Sequence, residues 1–224
     1  MVPVQLDLPL RTWGGRRKGA GRRPNGEKAG VSHLRRPPLK ARHPVHVTMR
    51  LRSGLPSLRH KPLARLVLSS FHAAKERFGT RLVHFSVQSN HVHLLVEVDE
   101  HRALSRAMQG LATRLAKKLN RRLDQRGPVF ADRYHARALT TPLEVRRALI
   151  YVLHNHRRHT VAPGGRSGFD PLSTAPYFDG FAPDVPRPPP TAPPDARPAV
   201  AARTWLLCVG WKRHGLLGTR DVPA

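Results

Sequence analysis

The stretch RLVHFSVQSNHVHLLVEV, residues 81–98, decides the fold that we expect for this chain. It contains two apolar runs, 81–88 and 91–98, which are separated by the polar pair Ser89-Asn90. Runs of this kind predict strands, and a two-residue polar break between them predicts a tight turn. The stretch therefore predicts a β-hairpin. The side chains that share the core face of its second strand are Val92, Leu94, Val96 and Val98.

Amphipathic segments lie on both sides of this hairpin. Residues 62–78 place apolar side chains on one helical face and end at Gly79, and residues 101–123 carry a second apolar helical stripe. Residues 43–51 and part of 127–139 are predicted as strands. The order β-α-β-β-α-β predicts an α+β fold of the ferredoxin-like type, an antiparallel sheet with helices on one face.

A further helix is predicted after the fourth strand. Thr141 stands at the N-cap, Pro142 at the first helical position, and Glu144 completes a capping box. We expect this helix to run to about His159. Tyr151 and Asn155 are four residues apart, so on a helix they lie on one face.

His91 and His93 lie on the face of the second hairpin strand that is opposite to its core face. Their Cα atoms should be about 7 Å apart, at roughly 3.4 Å per residue, so both imidazoles could bind one divalent cation. The alternative is a pair of half-exposed histidines in a chain that contains 14. If the last helix packs across the sheet, the phenol of Tyr151 and the amide of Asn155 face this pair. Otherwise Tyr151 is a buried aromatic residue with a satisfied hydroxyl, and Asn155 is a surface residue.

The charge of the chain indicates a polyanionic partner. Its 224 residues include 40 Lys and Arg but 14 Asp and Glu, which gives a net charge of +26. This balance excludes a neutral fold with acidic partners and favours nucleic acid. A single cysteine, Cys208, excludes a disulfide framework or a Cys-rich zinc site. With no apolar run of bilayer length and no signal peptide, we expect a cytoplasmic, nucleoid-associated protein.

Composition divides the chain into four parts. Residues 1–42 are predicted to be a disordered basic arm, and residues 43–160 hold nearly all the periodic segments. Residues 161–200 are predicted to be a loop and a Pro-rich linker. Residues 201–224 form a short tail, in which Trp205 and Trp211 are expected to be anchors on the core. The alternative for both is a platform on which bases stack.

Four sequence blocks, in this order, resemble those of the single-tyrosine HUH transposases, and most closely the REP-associated tyrosine transposases. The resemblance covers about residues 43–160. HPVHVTMRL resembles the first strand of that family, and SNHVHLLVE, with its His-hydrophobic-His motif, resembles the metal strand. RGPVFADRYHAR resembles the fourth-strand block, and LIYVLHNHRRH, with Tyr-x-x-x-Asn, resembles the nucleophile helix.

The resemblance implies a role for four residues. His91, His93 and Asn155 would be ligands of a divalent metal ion, Mg²⁺ or Mn²⁺, and Tyr151 would be the nucleophile. The implied activity is a metal-dependent transposase that cleaves and rejoins single-stranded DNA at hairpins through a covalent 5′-phosphotyrosine. The family often has a proline directly after the asparagine, and here His156 replaces it, so we expect the helix to continue past Asn155. The resemblance leaves open whether the protein is a monomer or a homodimer.

Basic side chains could line a groove that follows the backbone of single-stranded or hairpin DNA. The candidates are Arg114, Lys117, Lys118, Arg121, Arg122, Arg133, Arg137, Arg146, Arg147, Arg157 and Arg158. The alternative for these residues is a solvated basic face. Two other functions remain open at this stage, a non-catalytic nucleic-acid-binding protein that retains the fold and an unrelated RNA-binding protein.

Overall fold

A computed structural model describes residues 37–155, 169–185, 193–218 and 221. Its centre is the predicted hairpin, formed by β3 (Thr80–Val87) and β4 (His91–Val98), with a backbone hydrogen bond from Gln88 N to His91 O across the turn. The other elements are β1 (Val45–Arg50), α1 (Lys61–Ala74), β2 (Glu76–Arg77), α2 (His101–Arg122), β5 (His135–Ala138) and α3 (Pro142–Leu153). Of the predicted disordered arm, residues 1–42, the part from residue 1 to residue 36 lies outside the described residues.

The five strands form one antiparallel sheet with the order β2-β3-β4-β1-β5. Without the short β2, this is the strand order of a ferredoxin-like sheet, in which β1 lies between the third and the fourth long strands. The α+β prediction is therefore confirmed. No helix of the described residues has the length and apolar character needed to cross a membrane.

Helix α1 is shorter than predicted. It ends at Ala74 rather than at residue 78, because Glu76 and Arg77 pair with β3 as an edge strand. Phe78 and Gly79 make the connecting turn, with φ values of 56° and 69°. Positive φ at both central residues is the geometry of a type I′ hairpin turn. Phe78, which was predicted to lie on the apolar face of the helix, is 49% exposed as a result.

The two faces of the sheet are covered differently. On one face, which we call the first face, α1 and α2 pack side by side over Val45, Val47 and Met49 of β1. On the second face, α3 packs on β3 and β4 over Val83 and Leu95. The alternation of strand side chains therefore decides which residues lie beneath α3.

The C-terminal residues also pack on the second face. Trp211 is 1% exposed, contacts Phe178 and donates from Nε1 to Leu207 O at 2.9 Å, as expected for an anchor, whereas Trp205 is 49% exposed. In the region predicted to be a loop and linker, 161–200, Phe178 and Phe181 are buried against α3 and the tail. This part of the region is thus integrated with the sheet.

Helix α3 begins as predicted and ends earlier. Thr141 Oγ1 accepts from Glu144 N, and the Glu144 carboxylate accepts from Thr141 N, so both halves of the capping box are present. The expectation that the helix runs to His159 is wrong, because it ends at Leu153. His and Asn have weak helix propensity, and His154 is instead 1% exposed, with its ring 5.6 Å from that of Phe181. The expected remainder, from residue 156, lies outside the described residues.

Candidate active site

Strand alternation places a polar cluster on the second face of the sheet. Because Val45, Val47 and Met49 point to the first face, His46 and Thr48 point to the second. Thr48 is directly opposite His93 in the pairing of β1 with β4, and His93 is 3% exposed. His91, two residues before His93, is on the same face.

Tyr151 of α3 lies over this cluster. The ring centroid of Tyr151 is 4.9 Å from that of His93 and 5.7 Å from that of His46, both with edge-to-face geometry. The rings of His91 and His93 are 4.6 Å apart. The structure therefore brings together the phenol and the two imidazoles that the sequence singled out.

The Nδ1 atom of each histidine of the pair has a hydrogen-bond partner that helps to define its tautomer. His91 Nδ1 lies 2.7 Å from Asn90 Oδ1, an acceptor, so Nδ1 carries the proton and Nε2 the lone pair. His93 Nδ1 lies 3.1 Å from Thr48 Oγ1 and 3.3 Å from His46 Nε2. When His93 Nδ1 carries the proton, it donates to these two acceptors and Nε2 has the lone pair. Oxygen partners at one imidazole nitrogen are typical of histidines that bind a metal through the other.

His46 is a site residue that the sequence analysis did not identify. Its ring contacts those of both His93 and Tyr151, and its pKa is lowered to about 4, mainly by burial and in addition by the nearby charges of His135 and Arg137. The ring is therefore neutral near pH 7. Two signals together could have identified it. The alternation of HPVHVTMRL places His46 on the strand face opposite to the core side chains, and the order of strands in the sheet places β1 beside β4.

Asn155 lies just beyond the end of α3 and not on its helical face with Tyr151. It is 1% exposed, and none of the described residues accepts a hydrogen bond from its Nδ2 atom. This nitrogen is a hydrogen-bond donor, and an oxygen of a bound ligand, such as a phosphate oxygen, would satisfy it. Two imidazole nitrogens and an amide oxygen are a donor set that accommodates Mn²⁺ and, less well, Mg²⁺.

Within the described ranges, no group of three or more His, Cys, Asp or Glu side chains is arranged to hold a metal ion. The three ligands that the sequence analysis expected, His91, His93 and Asn155, include an amide and only two histidines, so they are a set of a different composition.

The predicted basic residues do not line one groove. The five on α2 lie behind the sheet from Tyr151, because α2 packs on the first face. They are Arg114, Lys117, Lys118, Arg121 and Arg122. Arg137 of β5 and Arg147 of α3 instead line a cavity that contains Tyr151, and Arg133 precedes β5. Arg146 pairs with Asp221 at 2.9 Å, which is a structural contact, and Arg157 and Arg158 lie outside the described residues.

Comparisons with known proteins agree with this arrangement. The family model described as "Transposase IS200 like" matches residues 41–154, just over half of the chain. A solved structure of a REP-associated tyrosine transposase bound to a REP hairpin has 16% sequence identity and a TM-score of 0.52. The match covers 64% of this chain and 82% of that one, and at this identity it shows the fold alone.

A second solved structure, of a candidate transposase from Deinococcus radiodurans, also has 16% identity. The TM-score is 0.39, over 61% of this chain and 99% of that one. No curated protein sequence matches the chain. The family match is sufficient to place the molecule: the chain belongs to the IS200-like transposase family and is a DNA-processing enzyme of transposition.

Proposed function

We propose that this transposase cleaves and rejoins single-stranded DNA at hairpin or palindromic sites, that Tyr151 is its nucleophile, and that it depends on a divalent metal ion. One observation carries the proposal: the ring of Tyr151 lies 4.9 Å from the ring of His93, on the face of the sheet that also carries His91. A nucleophile and metal ligands must be this close to act on one phosphate.

The metal ligands in this proposal are His91 and His93, through Nε2, and Asn155, through its amide oxygen. Bound there, Mg²⁺ or Mn²⁺ would withdraw charge from the scissile phosphate and orient it for in-line attack. The imidazole-rich donor set favours Mn²⁺ over Mg²⁺. Asn90 Oδ1 accepts from His91 Nδ1, which leaves the lone pair of that ring on Nε2. Thr48 would act in the same way on His93 by accepting from its Nδ1.

The chemical step is a transesterification. The phenolic oxygen of Tyr151 forms a bond to the scissile phosphorus, the bond from phosphorus to the 3′ oxygen breaks, and the phenolic proton is lost as the 3′ oxygen gains one. The product is a 5′-phosphotyrosine and a 3′-hydroxyl. Because the phosphotyrosine is still a phosphodiester, a second 3′-hydroxyl can reverse the step and join a new strand without ATP.

Charge and fold support DNA as the substrate. The chain has a net charge of +26, and the fold is that of a transposase whose solved structure contains a REP hairpin. The five basic residues of α2 form a separate surface for the DNA backbone, on the first face. Binding to single strands should weaken with salt, with a slope of about −0.7 for each phosphate that the protein neutralises.

A covalent adduct is the direct test. The protein is incubated with Mn²⁺ and a labelled strand that carries a hairpin taken from palindromes beside its gene, and is then denatured. We expect a labelled band at the mass of the protein plus DNA. Tyr151→Phe should abolish this band and bind the strand with unchanged affinity, since only the hydroxyl is removed.

Two outcomes would contradict the proposal. Tight binding by the wild type without an adduct would leave a non-catalytic DNA-binding protein. An adduct that persists in Tyr151→Phe would show that another residue is the nucleophile. His91→Ala and His93→Ala should remove the stimulation by Mn²⁺, and stimulation that persists in both would refute the ligand assignment.

A further inference from the structure

A cavity opens beside Tyr151 on the side of the sheet edge formed by β5. Its volume is about 280 Å³, and it lies between β1, β5 and α3. The rings of His46 and Tyr151 form one wall, and Leu139, Ala148 and Ile150 supply apolar surface. A volume slightly below the range of drug-sized ligand sites, with aromatic and apolar walls, suits a flat group of the size of one nucleobase.

The rim of the cavity carries charge that suits a phosphate. Arg137 and Arg147 both line it, and Arg147 has no ion-pair partner among the residues that the structure describes. Arg147 is also exposed, so its guanidinium is accessible to a ligand. Guanidinium groups are common ligands of phosphate oxygens because their planar array of donors matches phosphate geometry.

One carboxylate, Glu144, also lines the cavity, and its charge is already compensated. It accepts hydrogen bonds from Thr140 N, Thr140 Oγ1 and Thr141 N, and pairs with Arg137 at 2.7 Å. The bond from the backbone of Thr140 is the largest cause that lowers its pKa to about 2, so the carboxylate is ionised at all working pH values. Two arginines and one carboxylate therefore leave one positive charge in excess along the lining, the charge that one phosphodiester neutralises.

We propose that this cavity binds one nucleotide of the single-stranded substrate, the one that adjoins the phosphate attacked by Tyr151, with its base between the apolar wall and His46 and its phosphate at Arg147. The inference rests on the proposed function, because it uses Tyr151 to define the position of the cleaved bond. In this proposal, residues of β5 and of the first turns of α3 position the DNA strand. The metal ligands and the nucleophile do not have this role.

The test measures binding of full-length protein to a set of hairpin-bearing strands that carry an abasic site at each position in turn. Affinities are measured by fluorescence anisotropy with EDTA, so that metal-dependent cleavage does not intervene. Stacking of a base on an aromatic side chain contributes to single-strand affinity, so we expect one position at which the abasic site weakens wild-type binding by about tenfold. This position should adjoin the bond that the wild type cleaves when Mn²⁺ is added.

Ala148→Leu fills the cavity with little change in helix propensity. It should weaken binding of the intact strand by about tenfold, and the abasic site at the sensitive position should then cost nothing more. When two changes remove the same contact, their losses of binding free energy do not add. Thermal unfolding of the variant checks that its fold is retained, and Ala148→Val provides a smaller filling side chain if it is not.

Arg147→Gln tests the phosphate contact against a matched control. Arg65 is an exposed arginine of α1 on the first face, so Arg65→Gln removes the same charge away from the cavity. We expect Arg147→Gln to lose several times more affinity than Arg65→Gln, and to lose sensitivity to a neutral methylphosphonate beside the sensitive base.

The inference fails if the effects of Ala148→Leu and of the abasic site add at every position, or if Ala148→Leu binds the intact strand as the wild type does. It also fails if the sensitive position is remote from the cleaved bond. The proposed function fails separately, by the absence of a wild-type adduct with Mn²⁺. In that case coupling in the binding data would show a nucleotide site in the cavity but would overturn its place beside a cleaved bond.

Discussion

At the scale of single residues, the site depends on hydrogen bonds that orient imidazole rings. His93 is 3% exposed, and its Nδ1 contacts Thr48 Oγ1 at 3.1 Å. A hydrogen-bond partner at one ring nitrogen orients the imidazole and influences how well the other nitrogen binds a metal. Thr48 is therefore expected to influence metal affinity although it is not itself among the proposed ligands.

Thr48→Val should lower the affinity for Mn²⁺ by about tenfold, because partners of metal-binding histidines typically contribute 10- to 100-fold in affinity. Isothermal titration calorimetry of the full-length protein with Mn²⁺ gives the dissociation constant. Thr48→Ser, which keeps the hydroxyl, should bind as the wild type does, and Thr113→Val on the exposed side of α2 is the control. Equal affinity in Thr48→Val and the wild type would contradict this role.

His84 of β3 is a partly buried histidine, away from the proposed metal ligands. Burial lowers its pKa to about 4, against 6.5 in the unfolded chain, and its Nδ1 lies 3.1 Å from Thr174 Oγ1. Between these pH values the unfolded state binds more protons, so stability falls as pH decreases from about 6.5 to about 4. Over this range the wild type should lose on the order of 2 kcal/mol more than His84→Gln, measured by urea denaturation at each pH. Parallel pH profiles of the two proteins would contradict the assignment.

At the scale of elements, α3 presents the nucleophile and its start is fixed by the capping box. Thr141→Ala should lower the free energy of unfolding by about 1 kcal/mol, the usual cost of removing an N-cap side chain. Chemical denaturation measures this cost, and Thr113→Ala, in the exposed middle of α2, should cost much less. A cost for Thr141→Ala no larger than that for Thr113→Ala would show that the cap does not stabilise α3.

The sequence predicted some elements better than others for physical reasons. The hairpin of β3 and β4 and the start of α3 are specified by local signals, alternation and a cap, and both are confirmed. The end of α1 was missed because a short hairpin competes with the last helical turn, since β2 pairs with β3 across Phe78 and Gly79. The end of α3 depends on a partner distant in sequence, because His154 packs on Phe181. His46 was missed for the same reason, since its closeness to His93 depends on the order of strands in the sheet.

At the scale of the whole molecule, the second face of the sheet is covered by both α3 and the C-terminal tail. The buried carboxylate of Glu97 in β4 accepts hydrogen bonds from Arg203 N and Thr204 N, which joins the tail to the sheet next to the start of α4 (Trp205–Cys208). The tail is thus part of the packing that holds α3, and through it Tyr151, against the sheet.

The two tail tryptophans form a matched pair for testing this packing. Trp211→Ala should cost about 3–5 kcal/mol, because it removes a large side chain that is 1% exposed. Trp205→Ala should cost far less, since that side chain is 49% exposed. Denaturant unfolding of both variants gives the comparison, and equal costs would show that the tail does not anchor through Trp211.

The proposed function depends above all on Tyr151 being the residue that becomes covalently joined to DNA. Mass spectrometry of the adduct, after nuclease trimming and digestion with trypsin, locates the attachment. Cleavage after Arg147 gives a peptide that begins at Ala148 and contains Tyr151 as its single tyrosine. We expect a phosphodeoxynucleotide on this peptide, at Tyr151. The same mass increment on a peptide containing Tyr134 or Tyr177 instead would contradict the account.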